Sequence, residues 1–130
     1  MGRTVSAVAV FLAGFFGAIP LVSANGALDG KTFSGVIGPK EKTDGRPDDF
    51  VFQDGSFEST LCNTFGYGKG TYQTTAKGDA VEFTAETTST NGGKMAWKGT
   101  VTGNQIEGAT VATENGQTSE SWFKGTLKTN

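Results

Sequence analysis

Three spaced segments constrain this chain more than any other feature: Trp97-Lys98-Gly99-Thr100-Val101, Ile106-Glu107-Gly108-Ala109-Thr110 and Phe123-Lys124-Gly125-Thr126-Leu127. An earlier relative is Phe33-Ser34-Gly35-Val36-Ile37. Each sets a large apolar residue two places before a glycine, with polar or small residues between. Period-two alternation is the mark of a strand with one buried face. A glycine on that face lets the strand bend sharply, as closing a sheet into a barrel requires.

The rest of the chain supplies partners for these strands. Strands are predicted at Thr32 to Gly38, Asp49 to Gln53, Ser56 to Leu61, Lys69 to Ala76 and Ala80 to Thr88, with three more between Met95 and Leu127. Asp54-Gly55, Gly78-Asp79, Gly103-Asn104 and Asn115-Gly116 carry two-residue turn chemistry. Pairing across them sets Phe52 opposite Phe57, Tyr72 opposite Ala85, Val101 opposite Ile106 and Gly108 opposite Phe123, so the apolar residues share one face. A one-residue slip would scatter them. Asn91-Gly92 also reads as a tight turn, but a two-residue loop there pairs Glu86 with Trp97. A three- or five-residue loop keeps the faces consistent. The pattern therefore predicts an all-β fold, an eight-stranded antiparallel up-and-down (meander) β-barrel preceded by a signal peptide. An open sandwich of the same strands is the alternative.

In a meander the connections alternate ends. Asp54-Gly55, Gly78-Asp79 and Gly103-Asn104 close one end. Loops 39–47, 62–68 and 89–94 meet at the other with Asn115-Gly116, which makes it the mouth. Inward positions name a candidate cavity lined by Phe33, Phe52, Tyr72, Phe83, Trp97 and Phe123. Eight strands leave a bore just wide enough for side chains to fill or for one small ligand, so a filled interior is the competing reading. At the mouth, Arg46, Phe65 and Tyr67 are candidate recognition residues, with Cys62 nearby. Phe65 serves equally well as a plug for the barrel end. Outward-facing Val36, Ala109, Val111 and Trp122 fall on strands that adjoin once the barrel closes. They form a candidate interaction patch.

Chemistry is sparse. The chain has no His and a single Cys, which excludes a His-based triad, a Cys–His pair and an intrachain disulfide. Asp44, Asp48 and Asp49 lack the ligand spacing of an EF-type calcium loop and read as a solvated loop. Glu82, Glu86 and Glu107 alternate outward and read as a solvated face, whereas a carboxylate pair that cleaves glycosides must face one cleft. The residues thus point to no enzyme, no cofactor and no metal.

Residues 1–24 form a separate unit. Arg3, the apolar run Val5 to Ile19, Pro20 and Val22-Ser23-Ala24 have the order of a cleaved signal peptide. Removing the first 24 of 130 residues leaves one 106-residue domain, 25–130, with a net charge of −3. Its lysines and arginines are scattered, which argues against nucleic acid and membrane insertion. The expected location is the periplasm or the extracellular space.

This signal peptide, the meander, Gly70-Thr71-Tyr72 and the Φ-x-Gly-Thr-Φ strands resemble small exported bacterial β-barrel proteins of lipocalin and avidin (calycin-like) architecture. The resemblance covers the mature chain in strand plan and glycine pattern. It implies a barrel and no particular activity, and Phe33-Ser34-Gly35 stands where lipocalins carry Gly-x-Trp. The expected function is non-enzymatic binding of a small, mainly apolar molecule through the open end. The rival is a filled structural or interaction module, acting through Trp122 or the mouth loops on a second copy or an envelope protein.

Overall fold

Asp54-Gly55 and Asn115-Gly116 have positive φ at both positions, 53° and 76° in the first and 52° and 78° in the second. That is the signature of the tight turn whose twist matches that of the flanking strands. Around such turns the chain forms β1 (Thr32–Pro39), β2 (Arg46–Gln53), β3 (Ser56–Ser59), β4 (Gly70–Lys77), β5 (Ala80–Thr88), β6 (Lys94–Thr102), β7 (Gln105–Glu114) and β8 (Gln117–Leu127). The structure is a computed structural model that describes residues 26–128. The expected signal peptide, residues 1–24, lies outside the described residues.

Each strand pairs antiparallel with the next, and β8 returns to β1 from Phe33↔Leu127 to Pro39↔Ser121. The barrel is closed and runs up and down. The ladder is narrowest between β3 and β4, where two pairs, Ser56↔Thr71 and Phe57↔Gly70, close it. The registers are those the turns imply: Phe52↔Phe57, Tyr72↔Ala85, Val101↔Ile106, Gly99↔Gly108 and Gly108↔Phe123. Thr88 pairs with Lys94, so residues 89–93 form a five-residue loop and Trp97 lies opposite Ala85. Among the described residues no helix is long and apolar enough to cross a membrane.

Two strands differ from the sequence expectation. β2 begins at Arg46 rather than Asp49, running through Pro47, which pairs with Val36. That places Asp48 on the inward row with Phe50 and Phe52, and it is buried. β3 ends at Ser59 rather than Leu61, because Thr60–Asn63 form a helical turn, α1, capped by Ser59 Oγ accepting from the Cys62 N–H at 3.1 Å. Helical spacing leaves Leu61 half-buried and sends Cys62 inward instead. Val81 and Leu127, also expected inside, are likewise only partly buried.

The interior is made of rings. Phe52 touches Phe57, Tyr72 and Phe83 at centroid separations of 5.0–5.1 Å and Phe33 at 6.1 Å. Trp97 meets Phe57 at 4.8 Å and Phe123 at 5.4 Å. Such tilted and edge-on contacts are favoured by the ring quadrupoles. The one indole N–H within this cluster donates to Thr87 Oγ1 at 3.1 Å, so its burial leaves no donor unpaired. At the short-turn end the lead-in residues form a lid. Tyr72 Oη accepts from the Leu28 N–H at 2.9 Å and donates to Asp29 Oδ1 at 2.7 Å, while the Gly55 N–H donates to the same oxygen at 2.9 Å. Leu28 is buried beneath.

Glycines stand where strands approach too closely for a side chain. A Cβ at Gly99 would lie 2.9 Å from the Glu107 carbonyl oxygen and 2.9 Å from the Phe123 ring. The Phe123 ring covers the bare backbone of both Gly99 and Gly108.

Candidate functional site

Asp48 organises the open end. Its carboxylate accepts from Ser59 Oγ, from the Leu61 N–H at 2.9 Å and from Thr60 Oγ1 at 3.4 Å. Thr60 Oγ1 in turn accepts from the Asp49 N–H at 3.3 Å. α1 is therefore fixed to β2 through one buried carboxylate, where a continued β3 would otherwise have paired. Burial pushes the Asp48 carboxyl above its ordinary range, against the opposing effect of these hydrogen bonds.

Beyond α1 the chain folds over the rim. The Phe65 and Tyr67 N–H groups donate to the Cys62 carbonyl at 2.9 and 3.2 Å, Tyr67 bridges to Ser89, and the Gly68 N–H donates to the Thr88 carbonyl at 3.1 Å. Tyr67 Oη donates to Glu114 Oε2 at 2.8 Å. Burial first, then the bond to Glu114 and its charge, push the Tyr67 hydroxyl up to about 12. This clasp ties the rim loop to the β7–β8 hairpin. Between them is an open cleft of about 770 Å³. Cys62, Phe65, Tyr67, Met95 and Ala112 give it an apolar side; Glu114, Gln117, Thr118 and Ser119 give it a polar one. Burial is the main cause that raises the Cys62 thiol above its usual range, with the Asp48 charge adding and the Ser59 contact opposing. Burial therefore favours the protonated, less reactive form of the thiol.

The three mouth residues expected from sequence come together here. Arg46 sits over the Phe65 ring, 5.7 Å from its centroid. Phe65 is 56% exposed and does not plug the barrel; buried Tyr67 fills that end instead. The six candidate cavity residues, Phe33, Phe52, Tyr72, Phe83, Trp97 and Phe123, also converge. They are at most 2% exposed, and the space between them is taken by their own rings.

The outer patch residues lie on neighbouring strands, with Ala109 directly opposite Trp122. Val36, however, faces Lys124 and Val111 faces Glu120, so charges interrupt the apolar row. Trp122 is half-buried and donates its indole N–H to the Lys42 carbonyl at 2.8 Å. The acidic residues read as one solvated loop divide in role: Asp44 is exposed, Asp49 pairs with Lys128 at 3.3 Å, and Asp48 is the buried clamp. Sequence reasoning put Asp48 at the mouth in a solvated loop, without its burial, and did not name Glu114. The alternation Asp48, Phe50, Phe52 carried the first signal, hidden by Pro47; nothing local marked Glu114.

No protein-family model matches the chain, and comparisons with curated proteins and with solved structures likewise give no match.

A raised carboxyl pKa in the folded state means that the native protein holds its proton to higher pH than the unfolded chain does. The stabilisation linked to Asp48 is therefore fully present at low pH and is lost as pH rises from the ordinary aspartate range through the raised value. Urea melts of the wild type and Asp48→Asn should show a stability difference that is larger at about pH 3 than at about pH 7. A difference that grows with pH would mean that the carboxylate is held by its partners more strongly than burial opposes it.

Proposed function

We propose that the protein is an exported, non-enzymatic binding module that takes a small molecule with an apolar part at its open end. The filled barrel is the scaffold, and the cleft between the rim loop and the β7–β8 hairpin is the working surface. One observation carries this reading: Phe65 is 56% exposed beside a cleft of about 770 Å³. Among the described residues the other exposed large apolar side chain is Val111 on the outer wall, and an exposed ring at the lip of a concave site is the arrangement that anchors ligands. Arg46 over the ring and the hydrogen-bonded rim loop hold it in place before binding, which lowers the entropic cost. The two-sided lining favours an amphiphile, with its apolar part against Phe65 and Met95 and its polar part toward Glu114 and Gln117.

Titration with the neutral fluorophore N-phenyl-1-naphthylamine tests this. Saturable binding is expected, weakened about tenfold or more by Phe65→Ser, since covering a Phe ring is worth roughly 1.5–3 kcal/mol. Val111→Ser, at a 38% exposed position on the outer wall, should leave affinity unchanged. No saturable binding, or equal loss in both variants, would defeat the proposal.

A further inference from the structure

We propose a second binding site, for a pyranose unit of a neutral saccharide, in the hollow on the outer wall over β6, β7 and β8. The site follows from register. Ala109 on β7 lies opposite Lys98 on β6 and opposite Trp122 on β8. In the next outward row Thr100, Glu107 and Lys124 stand in the same order, and Glu82 on β5 lies opposite Thr100. Between the two rows lie the inward positions Gly99, Gly108 and Phe123, which also line the hollow. A short-residue floor ringed by long side chains makes a hollow of about 530 Å³, open to solvent.

Trp122 is its fixed wall. The indole N–H is bonded to the Lys42 carbonyl, and the six-membered ring is packed where a Cβ on Gly38 or Gly45 would lie 2.8 or 3.1 Å from it. Lys124 Nζ stands 5.7 Å from its ring centre. An aromatic plane held by a hydrogen bond and two glycines needs no ordering when a ligand arrives, and only the Lys124 ammonium has to move from it.

Charge decides the ligand class. Two lysines and two glutamates ring the floor, so their charges cancel and favour neither an anion nor a cation. Ion pairs among the described residues join Lys40 to Glu120, Lys94 to Glu86 and Lys128 to Asp49. None uses Lys98, Lys124, Glu82 or Glu107. These four offer ammonium donors and carboxylate acceptors that are not committed to one another. The neutral molecule that matches an apolar floor, an aromatic wall and a ring of both donors and acceptors is a pyranose. Its C–H face takes the place of Lys124 Nζ over the indole and rests against Ala109, and its hydroxyls reach the rim, where charge-assisted hydrogen bonds are the stronger kind. This site is independent of the open-end cleft, and either can fail alone.

The test uses the wild-type chain and the two indole N–H resonances, with buried Trp97 as internal reference. Cellotetraose, maltotetraose and chitotetraose are titrated separately. At least one should move the Trp122 indole signal saturably with Kd of about 0.1–1 mM, leaving Trp97 in place. Ala109→Leu, which fills the floor from an exposed position, should weaken that response at least about tenfold with the urea midpoint unchanged. Glu107→Gln should weaken it while keeping the fold. No Trp122 shift from any of the three up to about 10 mM overturns the proposal, as does a response that Ala109→Leu retains. Shifts confined to residues 62–68 and 112–119 place the saccharide at the open end and also overturn it. A Trp122 shift that depends on protein concentration without sugar identifies a second copy as the occupant, with the same consequence.

Discussion

Phe52→Ala should cost about 3–5 kcal/mol in a urea melt, the range for removing a fully buried Phe ring. Phe52 is fully buried and sits within contact of Phe33, Phe57, Tyr72 and Phe83. Its neighbours belong to strands locked in a closed ladder, so the barrel cannot collapse onto the gap. The loss is a large share of the 5–15 kcal/mol that typically holds a small domain together. The cavity left behind is lined by apolar rings and should therefore bind benzene, raising the variant's midpoint with the logarithm of benzene concentration once the site is saturated. A loss below about 1 kcal/mol would mean that the rings are loosely arranged.

Gly70→Ala should be nearly as damaging, for the opposite reason. A Cβ at Gly70 would fall far inside van der Waals contact with the Glu86 carbonyl oxygen. That oxygen is backbone of β5, and moving it disturbs the ladder where β4 has only just begun, opposite Phe57. Overpacking of this kind costs about 3 kcal/mol or more. Gly68→Ala is the control. Nothing lies within 4 Å of a Cβ there, and the change should be neutral to slightly stabilising through the unfolded state. Equal effects at the two positions would show that Gly70 is not held by close strand approach.

The same physics explains how much was legible in the residues. The barrel follows from local rules that agree with one another. Turn chemistry at Asp54-Gly55, Gly103-Asn104 and Asn115-Gly116 sets register, and alternation along Val81, Phe83 and Ala85 or Met95, Trp97 and Val101 sets the faces. When each local choice supports the same global answer, the fold can be read without long-range knowledge. The loop between β5 and β6 is the clearest case: Asn91-Gly92 has tight-turn chemistry, and only the demand that Trp97 face inward gives the longer loop.

What the sequence hid lay where local rules conflict. Pro47 has no N–H and reads as loop, yet it sits beside β1 at Val36, and so Asp48 joined the inward row unseen. Ser59-Thr60-Leu61-Cys62 continues a strand by apolar spacing, but Ser59 is also a good helix cap. Asp48 tipped the balance by taking the Ser59 hydroxyl and the Leu61 N–H. Leu28 looked like an isolated residue in a polar lead-in, and became core only because Tyr72 and Asp29 pin that segment across the barrel end. The partnership of Tyr67 with Glu114 spans 47 residues. No window along the chain contains it. The mouth is therefore built from long-range contacts, and its residues could be named from sequence while its geometry could not.

The most direct test of the account is where an apolar molecule sits on the folded protein. Backbone amide spectra of the wild type should be followed during titration with N-phenyl-1-naphthylamine. A filled barrel with a working mouth predicts saturable shifts at Cys62, Phe65, Tyr67, Ala112, Glu114 and Gln117, with Phe33, Phe52, Phe83 and Phe123 still. Largest shifts at those four buried residues would place the ligand inside the barrel and contradict the account.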